Sequence, residues 1–131
     1  MKYQTTKKQI MNGYTNVIKV PYCALQTLLK HNEPVAYTTS KAYGWQADVY
    51  EINQNTVIVT GYGPFGNIVP DHDLLMKYEL KAEKEIDLIW KRWRDYGLAY
   101  KDREYYSQAY KEECECLWRL LREFIAEVTP N

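Results

Sequence analysis

Between residues 35 and 62 branched and aromatic residues gather in three runs, Val35–Lys41, Trp45–Ile52 and Thr56–Tyr62. Tyr43-Gly44 and Asn53-Gln54-Asn55 separate them. Such spacing predicts three antiparallel strands joined by short turns. With a three-residue second turn, Ile52 faces Thr56, Tyr50 faces Ile58, Asp48 faces Thr60 and Gln46 faces Tyr62. Val49 then lies opposite Val59, Ala47 opposite Gly61, and Val57 beside Glu51. One face is small and branched apolar; the other mixes Tyr, Ile, Thr, Gln and Asp. The apolar face is expected to pack on helices and the mixed face to stay partly open.

Beyond residue 70 the period changes from two to 3.6. Leu75, Tyr78, Ala82, Ile86, Ile89, Trp93 and Tyr96 follow one another at steps of three and four, which predicts a helix over about 71–96. Asp71 or Asp73 suits its N-cap and Gly97 its stop. Tyr106, Tyr110, Cys114, Leu117, Leu121, Phe124 and Val128 repeat the pattern. They predict a last helix over about 103–128, capped by Asp102. Together the two make an antiparallel hairpin on the order of 37 Å long at 1.5 Å per residue. That exceeds what a small sheet needs, so part of the hairpin is expected to project and offer a groove or a homodimer surface.

The N-terminal third predicts shorter elements. Residues 5–13 read as a helix with Thr5 or Thr6 as cap and Gly13 as stop. Asn16–Val20 reads as an extended run. Pro21 opens a second helix over 21–31, with Leu25, Leu28 and Leu29 in its stripe beside Ala24 or Cys23. Lys30 and His31 suit the negative end of that helix. The expected fold is α+β: a three-stranded antiparallel sheet with short N-terminal helices and a long C-terminal helical hairpin. It forms a single domain over 1–131, with helices and meander in 1–70 and the hairpin in 71–131.

Composition narrows the class. Hydrophobic residues make up 46% and charged residues 26%, as in ordinary globular domains. No apolar run approaches the roughly 20 residues of a membrane span. The first ten residues lack the apolar core of a secretory signal. A cytoplasmic protein is expected. Three cysteines, Cys23, Cys114 and Cys116, do not make an even disulfide framework and read as buried or half-buried thiols.

Charge sums to zero, 17 against 17, but unevenly. Residues 1–45 hold six lysines and one acid, a net of +5. Residues 46–131 hold 11 basic and 16 acidic residues, a net of −5. Tyrosine is the outlier at 13, beside four tryptophans and two phenylalanines. An apolar ring with a polar tip suits half-buried positions and recognition surfaces.

Gly61-Tyr62-Gly63-Pro64-Phe65-Gly66 matches G-x-G-x-x-G. A dinucleotide site needs a parallel strand before it and a helix directly after it. Here the strand is antiparallel, Pro64 interrupts the motif, and the helix starts about five residues late. A structural exit turn is expected, with Tyr62 and Phe65 at its tip. Asp71-His72-Asp73 reads as capping rather than metal binding, because ligands two apart do not share a helical face. Glu112, Glu113 and Glu115 read as a solvated helix face. Lys91, Arg92 and Arg94, set around Trp90 and Trp93, are the sharpest basic–aromatic cluster, and Lys77 and Lys84 extend it. No nucleophile–base pair or metal constellation is visible. No enzyme activity, cofactor or metal is expected.

KKQIMNGYTNVIKVPYCALQTLL (7–29) and AYGWQADVYEINQNTVIVTGYGPFGNI (42–68) resemble a family of short proteins carried on plasmids, conjugative elements and prophages of gut Firmicutes. The likeness covers about residues 5–70 and brings no catalytic residues with it. It implies a setting in which small proteins often act against host defences, anti-CRISPR proteins that bind Cas effectors among them. The expected function is therefore non-enzymatic protein binding, as an inhibitor of a host nuclease or defence complex. Its contact surface is expected at Trp45, Asp48, Tyr50, Tyr62, Phe65, Lys91, Arg92 and Arg94. The alternative is a nucleic-acid-binding accessory protein of a mobile element.

Overall fold

Every strand-like run in the first half of the chain joins one sheet. The computed structural model describes residues 3–4, 6–40, 45–61, 68–100 and 104–129. Its strands are β1 (Tyr3–Gln4), β2 (Asn16–Val20), β3 (Ala36–Ser40), β4 (Trp45–Asn53) and β5 (Thr56–Gly61), in the order β1-β3-β4-β5-β2. β3, β4 and β5 form the expected antiparallel meander. The sheet is nevertheless mixed, not purely antiparallel. β2 runs parallel to β5 from Asn16 opposite Thr56 to Val20 opposite Thr60, and two-residue β1 runs parallel to β3. A β5 edge left bare would present unpaired N–H and C=O groups. Asn16–Val20 covers it and buries Val17, Ile18 and Val20 in doing so.

The β4–β5 register is the expected one from Ala47–Gly61 to Glu51–Val57. It departs at the turn. Asn53, not Ile52, pairs with Thr56, and the ladder shifts between Glu51 and Asn53. A bulge at Ile52 leaves a two-residue turn, in which the Asn55 N–H donates to Asn53 Oδ1 at 2.8 Å. At the far end of β5, Gly61 has φ +127°, and a Cβ there would lie 2.4 Å from the Gln46 carbonyl oxygen. Only glycine fits that approach.

Both faces of the sheet are covered, and by different means. Val17, Ala36, Ala47, Val49, Val57 and Val59 pack with Ile10 of α1 (Lys7–Gly13). Thr6 caps α1 in a two-way box with Gln9: the Gln9 N–H donates to the Thr6 hydroxyl at 3.2 Å, and the Thr6 N–H to Gln9 Oε1 at 3.0 Å. The mixed face was expected to stay partly open, yet it carries the main core. β2 adds Ile18 and Val20 beside Ile58 there, which makes the face apolar enough to seat the hairpin. Leu75, Tyr78, Ala82 and Ile86 of α2 (His72–Tyr100) and Leu117, Leu120, Leu121 and Phe124 of α3 (Glu104–Val128) pack onto it.

Asp71 caps α2 as expected, taking the Leu74 N–H on Oδ1 at 2.7 Å. The helix does not stop at Gly97; it runs to Tyr100. Asp102, the expected cap of α3, lies outside the described residues. The buried side of α3 is turned from the expected stripe. Tyr106 and Tyr110 are exposed, while Ala109, Glu113 and Cys116 are buried.

The segment 21–31 is not a helix. It forms a chain of turns in which Leu25 sits at φ +61°. That conformation costs about 1–2 kcal/mol for a residue with a Cβ. Fully burying Leu25 and Leu28 returns about 1.5–3 kcal/mol each, so packing outweighs helix propensity here. The N–H groups of Thr27 and Leu28, which a longer helix would satisfy, donate to the Glu79 carboxylate of α2 at 2.7 and 3.4 Å.

Candidate functional site

The turn segment 21–32 overhangs one end of the mixed sheet face. Between them lies a cleft of about 270 Å³. Tyr22, Gln26 and Lys30 line it from the overhang, and Asp48, Tyr50 and Thr60 from the strands. Asp48 stands opposite Thr60, as the alternating pattern required. Burial, then the charges of Asp48 and Tyr22, push the Tyr50 phenol above its ordinary range. Tyr50 therefore presents a protonated hydroxyl. A larger depression of about 620 Å³ lies on the other side, lined by residues such as Gln4, Gln9, Gly13 and Gln54. Among the described residues its one charged lining residue, Glu51, already accepts from the Tyr14 hydroxyl. The smaller cleft has the richer chemistry, with both charge signs and two tyrosines.

Lys30 links the cleft to a second group of residues. Glu113, on the buried side of α3, is 1% exposed. Its carboxylate accepts from Lys30 Nζ at 3.2 Å, from Trp90 Nε1 at 3.2 Å and from His31 Nε2 at 2.6 Å. Burial alone would raise the Glu113 pKa. The hydrogen bonds from His31, Lys30 and Trp90 outweigh it and hold the carboxyl below its usual range. An ionised carboxylate only accepts, so the proton of the pair sits on His31 Nε2. His31 Nδ1 faces the Tyr110 hydroxyl at 3.1 Å, with the two rings edge to face at 4.7 Å. Glu113 is thus not part of a solvated face, and His31 is not a helix-end residue. The sequence signal was present but weak: Glu113 lies four residues after Ala109 and three before Cys116, in step with the buried side.

The basic–aromatic cluster is partly neutralised. Arg92 pairs with Glu112, which also accepts from Trp93 Nε1 at 2.9 Å. Lys77 meets Glu127 at 3.6 Å and Lys81 meets Glu123 at 3.5 Å. Lys91 and Arg94 are exposed and have no ion-pair partner among the described residues. The expected contact residues therefore do not form one surface. Asp48 and Tyr50 share the cleft; Lys91, Arg92 and Arg94 lie near the far end of the hairpin. Tyr62 and Phe65 lie outside the described residues, as does the side chain of Trp45. Tyr22 and Lys30 are cleft residues that sequence reasoning missed.

All three cysteines are free thiols, and Cys23 is exposed rather than buried. Cys116 is buried, and burial together with Glu85, 3.0 Å from its sulfur, pushes its thiol up to about 12. It stays protonated and inert. Among the described residues no group of three or more His, Cys, Asp or Glu side chains could hold a metal ion, and no helix is long and apolar enough to cross a membrane. The chain matches no protein-family model, no curated protein and no solved structure.

Proposed function

We propose that this protein is a non-enzymatic binding module of a mobile genetic element, an inhibitor that engages a host nuclease or defence complex in the manner of anti-CRISPR proteins. One observation carries the reading. The cleft under segment 21–32 offers Tyr22 and Tyr50 beside Lys30 and Asp48, a small set of charges with large aromatic area. The tyrosines supply contact area at low entropic cost. The mobile-element setting rests on the resemblance of residues 7–29 and 42–68. Exposed Met76, Leu80 and Leu88 on the outer side of α2 mark where a homodimer through the hairpin would form. Immobilised protein should retain a host nuclease or defence complex from lysate. Tyr22→Ala and Tyr50→Ala should each weaken that capture at least about tenfold, as recognition anchors do. Equal capture by both variants, with the fold intact by circular dichroism, would remove the cleft from the interface.

A second reading, nucleic-acid binding, draws on the exposed Lys91 and Arg94. It requires salt-sensitive binding to DNA or RNA that falls when Lys91, Arg92 and Arg94 become Ala. No mobility shift at low salt would end it.

A further inference from the structure

Three tyrosines are exposed among the described residues. Tyr22 is 55% exposed, Tyr106 55% and Tyr110 51%. Among the described residues only Tyr110 has its hydroxyl on an imidazole, that of His31. Glu113 holds His31 from behind at 2.6 Å, out of water and ionised. Carboxylate, imidazole and hydroxyl in that order are the arrangement that activates a hydroxyl nucleophile. The ring proton on Nε2 points to Glu113, which leaves Nδ1 as the acceptor for the phenolic proton.

We propose that Tyr110 is a covalent modification site, primed by His31 and Glu113 to accept a phosphoryl group. Tyr110 Oη attacks the phosphorus of an activated phosphoryl donor. The new O–P bond forms, and the bond to the leaving group breaks with its electron pair going to that group. The phenolic proton passes to His31 Nδ1. Glu113 is a positioning residue that fixes the tautomer and faces the imidazolium once it forms. Lys30, 3.2 Å from Glu113, puts a positive charge in the electrostatic reach of the Tyr110 phenol, where it would favour an incoming anionic group. Desolvation, then Cys114 and Glu113, keep the Tyr110 phenol above its ordinary range. No phenolate waits at rest, so the proton must leave as the bond forms, which is the step a neighbouring base accelerates. The site is independent of the partner-binding reading, because it concerns the reactivity of one hydroxyl. It adjoins the cleft through Lys30, which serves both.

An alkyl fluorophosphonate tests this, with fluoride as the leaving group. Phosphorus electrophiles favour the hard phenolic oxygen over the thiol of Cys114 one turn along. Peptide mass spectrometry should show Tyr110 labelled at least about tenfold faster than Tyr22 and Tyr106 in the unmodified protein, in line with the gain general-base catalysis gives. In His31→Gln the Tyr110 rate should fall to that of the two control tyrosines, whose own rates stay unchanged. Glu113→Gln should lower it as well. Equal labelling of the three tyrosines in the unmodified protein would overturn the proposal whatever the variants do. An unchanged Tyr110 rate in folded His31→Gln would overturn it too.

Discussion

The two ends of the helical hairpin are held together by different chemistry. Over the sheet, Leu75, Tyr78, Ala82 and Ile86 meet Leu117, Leu120, Leu121 and Phe124, with Tyr78 and Phe124 edge to face at 5.4 Å. That end closes by apolar burial. Toward the far end the same helices are joined by glutamates of α3 that accept from indoles of α2. Glu113 takes Trp90 Nε1 and Glu112 takes Trp93 Nε1. The sheet explains the difference. Where it backs the helices, large aliphatic side chains lose all contact with water. Where only the segment 21–32 lies alongside, a buried carboxylate can recruit Lys30 and His31 from it. The hairpin there gains contacts that depend on direction and protonation, which apolar packing does not have.

Breaking the apolar end should cost most. Phe124→Ala removes a fully buried ring and should lower unfolding free energy by about 3–5 kcal/mol, read by chemical denaturation. That loss should be the same at pH 7 and pH 4, since no titrating group is removed.

Glu113→Gln should cost about 2–3 kcal/mol at neutral pH. This is less than the 3–5 kcal/mol of a wholly buried pair, because the half-exposed Lys30 can turn to water. Its pH dependence separates the two ends. The Glu113 pKa is depressed on folding, so its contribution is complete above the ordinary glutamate range. It fades as pH falls through the depressed value. The gap between the unmodified protein and Glu113→Gln should therefore narrow on acidification, while the Phe124→Ala gap holds. A gap constant with pH would mean that Glu113 acts by packing alone.

Glu112→Ala should cost least, below about 1 kcal/mol, because its pair with Arg92 is open to solvent. That small loss should shrink further at high salt. A cost equal to that of Glu113→Gln would erase the distinction between the exposed and buried glutamates of α3.

Local patterning carried much of the fold. Period-two alternation placed β3, β4 and β5 and paired Asp48 with Thr60, because side chains of a strand must alternate between faces. Period 3.6 placed both long helices, and Thr6 and Asp71 marked starts set by their own hydrogen bonds, while α1 ends at Gly13 with Tyr14 as its cap. Each of these depends on residues close in sequence. Gly97 misled because a glycine inside a helix costs only about 1 kcal/mol, which the rest of the helix absorbs.

What tertiary structure alone decided rests on partners far along the chain. Val17, Ile18 and Val20 read as an extended run, but only the open edge of β5 made them a parallel strand. Leu25 and Leu28 read as a helix stripe, yet burial and the Glu79 carboxylate, 52 residues from Thr27, favoured a turn. Glu113 read as a surface acid. Its charge is tolerable inside only because Lys30, His31 and Trp90 arrive from two other elements, 83, 82 and 23 residues away. Hydrophobic period is a property of neighbours and can be read in order. The desolvation of a charge is settled by which donors the fold brings to it, and no local pattern records that.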